Sequence, residues 1–319
     1  MSITKLLKIK HPILLGAMAY ITDARLASAV SNAGGLGVIA GGTDKPADVL
    51  EQIRLAKSLT KDSGAGKAPF GLNIMLLSDN ADALAKMAIE EGVAVVTTGA
   101  GTPTKYMAAW KEAGIIVMPL VASVSQAKMM ERAGADAVIA EGTEAGGHIG
   151  ATSTMALIPQ VVDAVSVPVV AAGGIADGRG VAAAFALGAS GAQIGTRFLV
   201  AAECLAHENY KKLVLKANDV STIINGVRPD LHPIRALKTS ATREFKTKEF
   251  QAGVCSTSLK TTGTGLYKKA VLEGCLDTGC FLCGQIAGLV KKEQTAKEII
   301  NEIITEANAI FKTLGKQTV

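Results

Sequence analysis

His148 stands inside the run Glu141-Gly-Thr-Glu-Ala-Gly-Gly-His-Ile-Gly150, where four glycines, two carboxylates and one imidazole follow directly on the apolar stretch 137–140. An imidazole has the ordinary pKa best suited to giving or taking a proton near neutrality. Of the chain's four histidines it is the only one set in a glycine cluster. Gly142, Gly146, Gly147 and Gly150 carry no side chain that would hold a flat ligand off the backbone. Two further glycine turns, Ala171-Ala-Gly-Gly-Ile175 and Gln193-Ile-Gly-Thr-Arg197, offer backbone N–H groups and the Thr196 hydroxyl. Such donors suit an anion, phosphate above all. Cys275, Cys280 and Cys283 form a third constellation, spaced like three ligands of a plant-type iron–sulfur cluster. The fourth ligand would have to be Cys255, upstream rather than downstream, so these cysteines are read as buried thiols, Cys283 near the ligand, and no metal is expected.

The elements that must position these residues alternate regularly. Short apolar runs at 12–18, 36–41, 70–75, 93–98, 115–121, 137–140, 168–172 and 191–195 read as eight strands. Helical patterns lie between them, as at 23–33, 82–91, 105–113 and 125–133. Each of these four is followed by a glycine (Gly34, Gly92, Gly114, Gly134) where a left-handed cap is wanted. Eight βα units favour closure over an open sheet, so the fold class is α/β, a (β/α)8 TIM barrel. Ligands of such barrels sit at the C-terminal strand ends. Gly16, Met18, Asn73, Thr97 to Gly101, Glu141 to His148, Gly173, Gly174, Gly195 and Thr196 all fall there.

The barrel is expected over 1–214. Residues 215–282 break the rhythm and read as a lid or substrate-recognition insertion after strand eight. They belong to a locally basic stretch: 201–260 holds ten Lys and Arg against six Asp and Glu. Residues 283–319 are expected to return to the barrel, with Thr295 and Glu298 as a capping box for a C-terminal amphipathic helix.

Composition narrows the function classes. The 319 residues are 49% hydrophobic with 34 glycines and only 4% aromatics, which describes a core of Ala, Val, Ile and Leu. A net charge of +5 without a basic stripe interleaved with aromatics argues against nucleic acid. Lys5, Lys8 and Lys10 interrupt the first twelve residues, so no signal peptide is expected. No apolar run is long enough to span a membrane, and a cytoplasmic protein is expected.

No Gly-x-Gly-x-x-Gly follows any strand, so a dinucleotide fingerprint is missing. One phosphate at strands seven and eight, with room for a flat ring near Asn73, Thr98 and His148, suits flavin mononucleotide (FMN). A sugar phosphate or purine nucleotide is the alternative tenant.

Segments 70–77, 95–101, 140–150, 171–177 and 193–197 resemble the flavin-dependent enoyl-acyl-carrier-protein reductases of type II, within a wider group that includes nitronate monooxygenases. The resemblance covers essentially the whole chain. Residues 95–101, the following Lys105-Tyr-Met107, and Ile149 point to the reductase branch. It implies an oxidoreductase with FMN, NADH or NADPH as reductant, a monovalent cation as activator, and trans-2-enoyl thioesters on acyl carrier protein as substrate, the last reductive step of fatty-acid elongation. By the same resemblance Met18, Asn73, Glu141, Gly146, Gly173, Gly174, Gln193, Gly195 and Thr196 line the FMN, joined by Gly16, Thr98 and Gly147. His148 faces the reacting carbons, and Gly284-Gln285 closes over the flavin. Arg228, Arg235, Lys238, Arg243, Lys246 and Lys248 are then a patch for the acidic carrier, and a homodimer is expected. The competing readings are oxidation of alkyl nitronates with oxygen, and a non-redox aldolase or isomerase barrel. The chain differs from the resemblance at Gly16-Ala-Met18, where a second glycine is usual, at Leu231, where a lid glycine is usual, and in its three late cysteines.

Overall fold

A computed structural model describes residues 2–42, 45–62, 66–251, 257, 259 and 265–316. Eight parallel strands form the barrel: β1 (Ile13–Leu15), β2 (Gly37–Ala40), β3 (Phe70–Met75), β4 (Val95–Gly99), β5 (Ile116–Val121), β6 (Val138–Glu141), β8 (Val169–Ala172) and β9 (Gly191–Ile194). Their order is β1-β9-β8-β6-β5-β4-β3-β2. The parallel bridge Leu14 to Leu36 joins the two ends of that series, with Leu15 N donating to Leu36 O at 2.9 Å and Leu36 N to Ile13 O at 2.9 Å.

Strand alternation divides the core into two layers. Leu14, Leu36, Val38, Val95, Met118, Ile139 and Val170 point inward and fill the barrel. Ile3, Leu7 and Ile9 from the N-terminal helix (Ile3–Leu7) and its exit join this interior cluster. Leu15, Ile39, Leu72, Val96, Val138 and Ala171 point outward into the larger layer shared with the helices. The four glycines expected as caps all have positive φ, from 57° at Gly92 to 99° at Gly134.

The insertion has its own small sheet, which local pattern did not announce. β10 (Thr222–Asn225) runs antiparallel to β11 (Ile234–Leu237), and β11 pairs in turn with the two-residue strand β7 (Gly147–His148). Further along, Ala236 bridges Leu282 and Leu237 N donates to Phe281 O at 2.8 Å. β11 therefore carries β10 along one edge and, along the other, first the histidine loop and then the segment leading to Gly284. The helix Ser240–Glu249 follows, with Thr239 and Thr242 in a capping box.

At the C-terminus, Thr295 and Glu298 cap the helix Ala296–Leu314 as their spacing predicts. It buries Ile299, Ile300, Ile303 and Ala307 and packs on the helices Gly178–Ala186 and Ala24–Asn32. A Cβ at Gly178 would sit 2.4 Å from Ala307 N, so only glycine permits this approach. No helix among the described residues is long and apolar enough to cross a membrane.

Candidate active site

Asn73 on β3 registers with Thr97 on β4, and its Nδ2 donates to Thr97 Oγ1 at 2.9 Å. Thr97 shares the inward parity of Val95. Thr98 shares that of Val96 and turns toward the helical layer. Its buried Oγ1 has no hydrogen-bond partner. Of the two threonines at this strand end, Thr98, expected near the flat ring, turns its side chain outward, and Thr97 faces inward, as counting alternation from Val95 shows.

The turns after β8 and β9 are crowded backbone. Gly173 and Gly174 have φ of 83° and 74°, and a Cβ on Gly173 would lie 2.8 Å from Gly142 O. A Cβ on Gly16 would lie 3.3 Å from the Cα of Gly195, which precedes the short helix Thr196–Leu199. The late segment closes this seam. Gly284 N donates to Thr196 Oγ1 at 3.0 Å, and Gln285 N to Glu144 O at 2.9 Å. Gly146 packs so tightly here that a Cβ would be 2.7 Å from Gly284 N. A cavity of about 310 Å³ opens beside it, lined by Glu144, Gly174, Asp219, Gln285, Ile286 and Leu289.

Glu144 and Gly146 belong to the loop after β6. Glu144 is immobilised by Thr154, whose N–H and hydroxyl each donate to Glu144 Oε2 at 2.9 Å. His148 is surface-accessible at the mouth, and its ring lies edge-on to His232, with centroids 6.4 Å apart. Enclosure of the ring lowers its pKa below the ordinary imidazole value, and the neighbouring His232 lowers it further. Glu141 ends β6 with a carboxyl that has no hydrogen-bond or ion-pair partner among the described residues. Although part of the residue remains accessible, desolvation pushes the carboxyl up to about 8.

Arg235 was expected on an exposed basic patch and is instead 4% exposed. Its Nη2 and Nε donate to Thr143 O at 2.9 and 3.1 Å, and its Nη1 to Thr222 Oγ1 at 3.2 Å. Arg228 pairs with Asp230, Lys246 with Glu249 and Lys248 with Glu244. Lys238 and Arg243 are exposed.

Cys280 and Cys283 are buried as expected, whereas Cys275 is half-buried with its Sγ 3.4 Å from Glu273 Oε2. Burial pushes the Cys280 thiol to about 11 and that of Cys283 to about 12, which keeps both protonated and unreactive at neutrality. Cys255 lies outside the described residues. Among the described residues no three His, Cys, Asp or Glu side chains group as a metal site.

These features fit FMN. Gly16, Gly146 and Gly173 pack so closely on other backbone that a Cβ has little or no room, and the turns they fix would present main-chain N–H groups to a phosphate. Met18, Asn73, Glu141 and Gln193 would supply polar and soft groups around the flat ring. His148 stands across the mouth.

Comparisons with known proteins agree with this construction. The chain is 46% identical to FabK from Thermotoga maritima, with a TM-score of 0.93 over 98% of both chains. It is 28% identical to a nitroalkane oxidase from Streptomyces ansochromogenes, with a TM-score of 0.86 over 98% of this chain and all of that one. Among curated relatives, the (3aS,4S,5R,7aS)-5-hydroxy-7a-methyl-1-oxo-octahydro-1H-indene-4-carboxyl-CoA dehydrogenase of Mycobacterium tuberculosis is 33% identical, over 98% of this chain and 97% of its own. A probable nitronate monooxygenase of Staphylococcus saprophyticus is 32% identical, over 97% and 98%. Matched by the nitronate monooxygenase family model over residues 1–306, the chain belongs to that family and is an FMN-dependent oxidoreductase.

Proposed function

We propose that the chain reduces trans-2-enoyl thioesters carried on acyl carrier protein, with NADH or NADPH as reductant. The observation that supports this most is the whole-length likeness to FabK, which is stronger in identity and superposition than that to the nitroalkane oxidase. It accords with the reductase-like segments 95–101 and 105–107. A relative named for a carboxyl-CoA, itself a thioester, supports the substrate class.

Gly173, Gly174, Gly195 and Thr196 would hold the phosphate of FMN, while Met18, Asn73, Glu141 and Gln193 would line its ring. When bound, FMN supplies hydride transfer between the nicotinamide and Cβ of the enoyl thioester. Negative charge then grows on the thioester carbonyl oxygen and Cα must gain a proton. His148, with its lowered pKa, is neutral at pH 7. It serves as an N–H donor to the oxygen that gains charge and as the proton source for Cα, with the proton it gives up returned from water, and not as a standing cation. Glu141, raised to about 8, is a neutral carboxylic acid at pH 7 and also a donor. Exposed Lys238 and Arg243 are the contacts proposed for the acidic carrier.

The second reading, oxidation of alkyl nitronates, is favoured by the family match and by the staphylococcal relative. Anaerobic spectra separate the two. In the reductase, NADH bleaches the flavin absorbance and a crotonyl thioester restores it. Bleaching by an alkyl nitronate, with little response to NADH, would replace the reductase reading.

A further inference from the structure

We propose that Arg235 is a positioning residue for His148, and that the lid strand β11 is thereby part of the catalytic apparatus as well as a cover. The inference rests on the assignment of His148 as the proton-handling group.

The loop after β6 is clamped at two points by one strand. Its far end is held through main chain, because His148 registers with Ile234 and Gly147 with Arg235, and Ile149 N donates to Pro233 O at 3.1 Å. Its near end is held by a side chain. Arg235 reaches back to the carbonyl of Thr143, four residues before Gly147, and places two N–H groups on it while a third engages Thr222 Oγ1 on β10. β7 has only two residues, and Gly147 sits at a φ of 81°, so its two-residue ladder is a weak hold by itself. A guanidinium is suited to the task because its planar donors reach two acceptors at once. At 4% exposure it has little water to compete with them.

His232, three residues before Arg235, brings its ring edge-on to His148. The elements that hold His148 carry Glu141 at the end of β6, Glu144 on its own loop, and His232 and Arg235 on the lid. Of these, His232 acts on its charge. Releasing the clamp would move His148 away from both the enclosure and the second imidazole.

The test uses the full-length holoenzyme with Arg235→Met and Arg235→Lys. FMN content and the rate of anaerobic bleaching by NADH are expected to stay at wild-type levels in both. Reoxidation by a crotonyl thioester is expected to slow about 10²-fold in Arg235→Met, the usual consequence of misplacing a catalytic group by about 1 Å. Arg235→Lys should recover part of this, since an ammonium keeps one contact but cannot fork. The pH midpoint of reoxidation should rise toward the ordinary imidazole value in Arg235→Met. Reoxidation at wild-type speed with an unchanged midpoint would overturn the proposal. So would an equal loss of both half-reactions and of FMN in the two variants, which marks a merely structural role. A wild-type protein that crotonyl thioester fails to reoxidise sinks the reductase reading instead. The same variants are then compared with an alkyl nitronate, where His148 acts as the base.

Discussion

Around the barrel mouth, the turns after β8 and β9 are backbone constructions, whereas the loop after β6 depends on side chains reaching in from the lid. Gly173, Gly174 and Gly195 owe their positions to strand ends of the closed barrel, Gly173 and Gly174 also to a positive φ, and at Gly173 a Cβ has no room beside Gly142 O. His148 owes its position to β11, to Arg235 and to the Glu144–Thr154 contacts. The side proposed for the cofactor is thus part of the barrel framework, while the side proposed to handle the proton is borrowed from an insertion. Substitutions on the two sides should therefore separate cofactor binding from turnover.

The largest effect is expected at Gly174→Asp. Its φ of 74° disfavours any side chain, and the new carboxylate would stand beside Glu144, whose Cβ is 3.5 Å from the position of the added Cβ. It would also face the phosphate. The variant should purify colourless with its helical circular dichroism intact, and a fully yellow preparation would relocate the phosphate site. His148→Ala should do the converse. It keeps FMN and bleaching by NADH but loses about 10² to 10⁴ in enoyl reduction, the range typical of a lost acid–base group. Normal turnover at saturating thioester would return His148 to the status of a loop residue.

That contrast also decides what could be read from sequence. The barrel was legible because its strands alternate with helices ended by glycines, and both signals are local. The phosphate turns were legible for the same reason, since each lies within two residues of a strand end. The lid was not. Its two four-residue strands, 222–225 and 234–237, carry too little pattern to call, and β7 has two residues. Arg235 looked like surface charge because sequence shows its charge and not the carbonyl of Thr143, 92 positions earlier, that accepts from it. Which of Thr97 and Thr98 turns its side chain inward is not legible locally, because neighbouring threonines differ only in parity and parity needs a fixed strand register.

Glu141 lies between the two sides, and its carboxyl tests whether the site needs a neutral acid. Its folded pKa of about 8 lies above the ordinary 4.5, so the folded state binds the proton more tightly than the unfolded chain. The associated stability is fully present below 4.5 and is lost as pH rises through about 8. In Glu141→Gln apoprotein this loss is absent. The Tm advantage of the variant over wild type should widen across that window, as thermal melts at its two ends would record. Because glutamine retains a donor, FMN affinity should become flat with pH where wild type weakens above about 8. An alkaline decline that persists in Glu141→Gln would assign it to another group.

Thr98→Val gives the smallest effect and sharpens the parity of β4. The buried Thr98 hydroxyl has no partner, and an unmade buried hydrogen bond costs about 1–3 kcal/mol. Valine has nearly the same shape and removes the polar atom, so stability should rise by about 1 kcal/mol. FMN affinity should be unchanged, because the side chain faces the helical layer. Thr97→Val should behave oppositely. It removes the acceptor of Asn73 Nδ2 at 2.9 Å, frees that amide at the barrel mouth, and weakens FMN without the gain in stability. Titration of both apoproteins with FMN, alongside urea unfolding, distinguishes the two positions. If Thr98→Val weakens FMN and Thr97→Val does not, the inward face of β4 has been assigned to the wrong threonine, and the ring site must move toward the outer layer.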